Sequence, residues 1–165
     1  MSPIRPAVWD NVYGFNMSCI REVAMMEPLV DTVEGDQVVS APCEIKDVNI
    51  DVSSVEEVAN FTSAFELTMD RNDYVHALVA YFDVEFSRCH KPTGFSTSPH
   101  ERGTHWKQTV FYLEDELVVC AGEKLTGTLE CKQNAKNPRD LDITISYKFD
   151  GKKSQAERTQ RYMMR

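Results

Sequence analysis

The segment Thr93 to Tyr112 gathers the residues of this chain that could do chemistry: TGFSTSPHERGTHWKQTVFY carries His100, His105 and Trp106 in a stretch rich in Gly, Ser, Thr and Pro. That composition reads as a loop, and His105-Trp106 stand where it runs into an apolar strand. A histidine at a loop–strand junction can reach the rim of a barrel and bond a carboxylate, while the tryptophan beside it points to the opposite face. Composition alone favours the plainer arrangement, a tryptophan that packs and a histidine that faces water. His76, His90 and His100 show neither H-x-x-x-H nor a carboxylate-assisted helical spacing, so they read as solvated or strand-packed and no metal site is expected.

Other chemistries find little support. A nucleotide or S-adenosylmethionine site needs glycines close together, because the backbone must approach the cofactor and adopt positive φ there. The seven glycines, at 14, 35, 94, 103, 122, 127 and 151, never form G-x-G. Gly122 and Gly127 have phosphate-loop spacing, but Thr128 follows where a lysine must stand. The chain itself is therefore expected to bind no cofactor. A G-x-S-x-G nucleophile elbow is also missing from the sequence. Cys19, Cys43, Cys89, Cys120 and Cys131 are odd in number and form no C-x-x-C pair, so they read as reduced thiols, mostly buried.

Eighteen Lys and Arg against 26 Asp and Glu leave a net charge of -8, which repels a phosphate backbone and attracts basic peptides. Direct nucleic-acid binding is not expected. At 165 residues the chain makes one domain, and at that size folding buries roughly 70% of the unfolded surface. No apolar run approaches the roughly 20 residues of a spanning helix, and the amino terminus shows no signal pattern. The expectation is a protein that is not secreted and is cytoplasmic, nuclear or both.

The elements that must position the loop follow from periodicity. Phe15, Cys19, Ile20, Val23 and Ala24 recur at helical spacing until Pro28, predicting a short helical segment over 16–26. From Pro28 onward period two takes over, predicting strands near 28–33, 43–50, 61–70, 74–87, 105–113, 123–131 and 141–149. The clearest is Leu141, Ile143, Ile145, Tyr147 and Phe149 against Asp142, Thr144, Ser146 and Lys148. The run 74–87, apolar on both faces, suits a central strand covered on two sides. Ser54 with Glu57 predicts a capped helical turn. The fold class is mainly β, an antiparallel barrel or sandwich with an N-terminal helical segment. The polar segment 151–165 is expected to be a loosely held tail unless Tyr162 and the two methionines dock.

Four collinear stretches then become specific: WDNVYGFNMSCIREVAMMEPLVDTV at Trp9–Val33, RNDYVHALVAYFDVEFSRCHKPTGFSTSP at Arg71–Pro99, THWKQTVFYLED at Thr104–Asp115 and NAKNPRDLDITISYKF at Asn134–Phe149. They closely resemble the carboxy-terminal half of protein arginine N-methyltransferases of the main type I branch. The resemblance implies a β-barrel with a helical dimerisation arm, the second part of an enzyme whose first part is an S-adenosylmethionine-binding domain. It divides the chain into a non-matching leader (1–8), the arm (9–27), the barrel (28–150) and a tail (151–165). Arg102-Gly103 stand where the family usually has Pro-Tyr, and Pro138 replaces its usual Asn.

In that family Thr104, His105 and Trp106 would form a loop projecting into the active-site cleft. The resemblance makes His105 an active-site support that bonds a carboxylate of the cofactor domain, and Thr104 and Trp106 the wall beside the arginine substrate. Tyr13, Phe15 and Met17 would bury apolar surface against the cofactor domain of a second protomer, closing a head-to-tail ring. Arg/Gly-rich proteins are the implied substrates. The family's paired glutamates and glycine-rich loop match nothing in this sequence, so the chain is expected to be inactive alone. An alternative is a non-catalytic module that docks on and modulates a full-length relative.

Overall fold

The computed structural model describes residues 10–165; the leader 1–8 and Trp9 of the expected arm lie outside them. Among the described residues the strands are β1 (Leu29–Asp31), β2 (Asn60–Thr68), β3 (Asp73–Ala80), β4 (Asp83–Phe86), β5 (Thr93–Ser96), β6 (Gln108–Val119), β7 (Lys124–Gln133), β8 (Leu141–Asp150) and β9 (Gln155–Met164). All their pairings are antiparallel. One sheet has the order β2-β7-β8-β9, a second β1-β6-β3, and β4-β5 is a separate hairpin. The mainly β architecture read from the alternation is the one the chain adopts.

Period two explains the large sheet. Leu125 faces Phe149, Leu129 faces Ile145 and Cys131 faces Ile143 across the β7–β8 ladder, and all point inward. A one-residue slip would turn this whole set to water. Phe65 and Met69 from β2 and its end, Val75 from β3 and Phe111, Leu113, Leu117 and Val119 from β6 complete the core. Each such fully buried side chain is worth about 1.5–3 kcal/mol. Gly127 is required on β7 because the Phe65 ring lies over it: a Cβ there would come within 2.5 Å of that ring and would run into the Ser146 carbonyl.

No hydrogen-bonded ladder joins β6 to β9; side chains bridge them. Ser154 Oγ accepts from the Val118 N–H at 2.9 Å and donates to the Val118 carbonyl at 3.0 Å. Gln160, 6% exposed, accepts from the Glu114 N–H at 3.0 Å and donates to the Tyr112 carbonyl at 3.3 Å. The supposed tail is therefore a core strand. β9 pairs with β8 from Gln155 to Met164, Tyr162 is 1% exposed, and the Met163 N–H donates to the Met26 carbonyl at 2.7 Å.

Three expectations about strands need correction. Residues 43–50 form no strand: Cys43 and Ile45 lie against the core while Glu44 and Lys46 face water, so the alternation belongs to an extended segment without a ladder. The run 74–87 is split by Tyr81-Phe82 into β3, an edge strand, and β4, part of the hairpin. The strand expected from 105 begins only at Gln108 and continues to Val119.

The expected helix over 16–26 is a 3-10 turn at Ser18–Ile20 leading into α1 (Arg21–Met25), with Met25 buried. A second short helix, α2 (Val55–Ala59), carries the capping box predicted from Ser54 and Glu57. No described helix is long and apolar enough to cross a membrane.

Candidate functional site

The loop singled out by the sequence rests on the β4–β5 hairpin. Val84 pairs with Phe95 and Phe86 with Thr93, so one face of the hairpin carries Val84, Phe86 and Phe95, continued by Phe82. Phe82, Phe86 and Phe95 are all exposed. The loop after β5 starts at Thr97, which is 1% exposed and clamps Phe82: its Oγ1 accepts from the Phe82 N–H and donates to the Phe82 carbonyl, both at 2.9 Å. His100 packs against Gly35, where a Cβ would lie 2.7 Å from the imidazole Nδ1.

Thr104 to Lys107 then form a tight turn closed by the Lys107 N–H on the Thr104 carbonyl at 3.2 Å. Lys107 adopts φ +55°, a left-handed conformation unusual for a residue with a side chain. Its ammonium meets Asp31 on β1 at 3.3 Å. The Thr32 N–H first, and Lys107 second, hold the Asp31 carboxyl below its ordinary value. Gln108 opens β6 and is 4% exposed; its amide donates to the Thr97 carbonyl and accepts from the Val33 N–H, both at 2.8 Å.

This turn corrects the expected placement of His105 and Trp106. They precede the strand, so strand alternation does not separate them, and their rings lie 3.9 Å apart, tilted by 34°. Trp106 stacks on Phe95 at 5.2 Å and meets Phe82 edge-on at 5.8 Å, yet it is 48% exposed. Thr104 Oγ1 is buried without a hydrogen-bond partner. Chemically the arrangement is a half-exposed indole backed by two phenyl rings with an imidazole beside it, suited to packing against a planar or cationic group. Among the described residues no group of three or more His, Cys, Asp or Glu could hold a metal ion.

The other three predicted site residues, Tyr13, Phe15 and Met17, lie in and beside a tight turn ahead of α1. Val12 and Phe15 exchange backbone hydrogen bonds at 2.8 and 3.0 Å around Tyr13 (φ +52°) and Gly14 (φ +89°). A two-residue turn with positive φ at both centres is the type that favours glycine at its second position. It leaves Tyr13 98% exposed and Phe15 exposed, with Met17 half-buried. Sequence reasoning missed Thr97 and Gln108, because a polar residue reveals its burial only once its neighbours are placed. Phe82 and Phe95 were legible as apolar residues but not as the support of Trp106. A shallow groove of about 470 Å³ on the large sheet, lined by Thr128, Ser146, Lys148 and Arg158 among others, shares no residue with this loop.

Fold and site together define an antiparallel β-barrel module with an exposed turn at residues 12–15 and a half-exposed aromatic loop. Residues 5–153 match the family model described as the arginine methyltransferase oligomerization subdomain. The chain is 60% identical over 158 residues to protein arginine N-methyltransferase 1 of Chlamydomonas reinhardtii, covering 95% of this chain and 45% of that protein. It is 55% identical to protein arginine N-methyltransferase 1.1 of Arabidopsis thaliana, over 95% of this chain and 40% of the relative. Among solved structures, the Trypanosoma brucei PRMT1 enzyme-prozyme heterotetrameric complex with AdoHcy superposes with a TM-score of 0.92 at 37% identity, over 98% of this chain and 51% of that one. Arabidopsis thaliana protein arginine methyltransferase 10, in an open conformation, shares the fold with a TM-score of 0.80 at 17% identity, over 97% of this chain and 51% of that one. The chain belongs to the protein arginine methyltransferase family and corresponds to its carboxy-terminal barrel. It spans roughly half the length of the relatives it matches or less.

Proposed function

We propose that this chain is the barrel and arm part of an S-adenosylmethionine-dependent protein arginine N-methyltransferase, supplying the substrate-side wall and the oligomerisation arm. The observation that carries this reading is Trp106, held against Phe95 and Phe82 with half its surface open, in a fold that matches a methyltransferase complex. The exposed indole would pack beside the substrate guanidinium. His105 would bond a carboxylate of a cofactor domain, and Thr104 would complete the wall. The surplus of acidic charge would draw in Arg/Gly-rich protein tails.

The residues present do not fit the cofactor itself. The described helices are five residues long or shorter, and the glycines are dispersed, so no glycine-rich turn leads into a helix that could cradle S-adenosylmethionine. Accordingly no step of methyl transfer is assigned to these side chains, and the chain alone is proposed to be inactive and to bind no cofactor. Titration calorimetry with S-adenosylmethionine is expected to show no binding; an isotherm of defined stoichiometry would contradict this division of labour.

A second reading, a non-catalytic module that docks on and modulates a full-length relative, is favoured by one observation: Tyr13 stands almost wholly in solvent at the arm tip of an oligomerisation fold. Tyr13, Phe15 and Met17 would bury against the cofactor domain of another protomer, of this protein or a relative. Co-purification with a full-length methyltransferase, lost on combined Tyr13→Ala and Met17→Ala, tests it; no association at micromolar concentration would contradict it. The proposed setting is the cytosol or the nucleus, where five unpaired cysteines stay reduced.

A further inference from the structure

We propose that Gln108 and Thr97 are positioning residues that fix the Trp106 wall by locking the base of the hairpin, the segment after β1 and the start of β6 to one another. The inference rests on the proposed role of Trp106 beside the substrate and identifies what holds it there.

Both residues are polar yet almost completely removed from water, and their side chains bond only backbone groups. Thr97 Oγ1 takes both the N–H and the carbonyl of Phe82, a ring that meets Trp106 edge-on. The Thr97 N–H donates to the same Phe82 carbonyl at 2.9 Å. Gln108 holds the Thr97 carbonyl with its NH2 group and the Val33 N–H with its amide oxygen. Gln108 lies two residues after Trp106 and Thr97 two residues after Phe95, the ring on which the indole stacks. One chain of bonds thus runs from Val33 through Gln108 and Thr97 to Phe82, a member of the aromatic cluster.

A buried amide that spans two segments holds them only while both of its ends are satisfied, and losing one leaves a buried backbone group unpaired. The exposed Lys107–Asp31 pair cannot substitute, since a solvent-screened ion pair fixes little. The arrangement is that of a support shell, which keeps a projecting side chain from drifting out of its working geometry.

The test uses the full chain with Trp9→Phe, which leaves Trp106 as the sole tryptophan, and adds Thr97→Val, Thr97→Ser or Gln108→Leu. Circular dichroism checks the fold of each. Acrylamide quenching then reads the freedom of Trp106, and methyl transfer to an Arg/Gly-rich peptide is measured with the cofactor domain of a family enzyme added in trans. Thr97→Val and Gln108→Leu are expected to raise the quenching constant and to lower kcat/KM for the peptide between about tenfold and a hundredfold. The S-adenosylmethionine KM should stay the same, and Thr97→Ser should restore both readouts. Should Gln108→Leu fail to fold, the near-isosteric Thr97→Val carries the test.

Unchanged quenching in a folded Thr97→Val chain overturns the proposal. So does raised quenching with undiminished peptide turnover, or failure of Thr97→Ser to restore what Thr97→Val loses. If the parent chain is silent with the added domain, the proposed function fails instead, and quenching alone then decides whether the network holds Trp106.

Discussion

Tyr162 donates its hydroxyl hydrogen to the Tyr112 carbonyl at 2.8 Å, tying the last strand to β6 across the gap between the sheets. Its ring meets Phe111 edge-on at 5.1 Å, and burial pushes its phenol pKa upward. Because Gln160 also donates to the Tyr112 carbonyl, Tyr162→Phe does not leave that oxygen bare. The expected loss is about 1 kcal/mol for Tyr162→Phe and about 3–5 kcal/mol for Tyr162→Ala. Urea unfolding of the two variants checks this; equal losses would show that the hydroxyl, and not the packed ring, dominates.

Gly127→Ala should destabilise by about 1–3 kcal/mol, since the added methyl must displace the Phe65 ring or the β8 backbone. Pairing it with Phe65→Leu should recover part of the loss. Independent, additive effects in that cycle would contradict the contact.

Carboxylates that accept backbone hydrogen bonds contribute to the acid limb of stability. The Lys152 and Cys120 N–H groups hold Glu123 below its ordinary value, as the Thr32 N–H does for Asp31 and the Tyr74 N–H for Asp73. The unfolded chain binds protons more tightly than these folded sites. Their contribution is therefore complete above the ordinary carboxylate range and is lost as pH falls below that range through the lowered folded values. Glu123→Gln should flatten that limb.

At the alkaline end the sign reverses. Burial, reinforced by Asp115 and Glu114, pushes the Tyr147 phenol up to about 12. The folded chain holds this proton more tightly, so the contribution is complete below about 10, the ordinary tyrosine value, and is lost as pH rises toward the folded one. Tyr147→Phe should weaken the alkaline loss without touching the acid limb, as thermal melts across pH would show.

Trp106→Ala removes a half-exposed ring and should change stability by only about 1 kcal/mol. In an assay complemented with a cofactor domain, it should cut methyl transfer by about tenfold or more. A variant as active as the parent would remove the indole from the proposed wall.

What the sequence made legible depended on where apolar residues alternate. β8, with five apolar residues on one face, was read almost to its ends. β9 was missed because Ala156, Gln160 and Tyr162 are the only residues it buries or half-buries before its terminal methionines, and Gln160 is polar. Residues 43–50 misled for the opposite reason: extended chain lying on a core alternates with or without a partner strand. At the site, motif resemblance supplied Thr104, His105 and Trp106, whereas their geometry comes from a left-handed turn at Lys107 and two buried polar residues that no periodicity marks.

Whether this chain supplies the barrel half of an arginine methyltransferase without its cofactor site is decided by a methyl-transfer assay. Purified chain, labelled S-adenosylmethionine and an Arg/Gly-rich peptide would be assayed with and without a family cofactor domain added in trans. No transfer by the chain alone, and transfer once the domain is added, are expected. Transfer by the chain alone, or silence in both, would contradict this assignment.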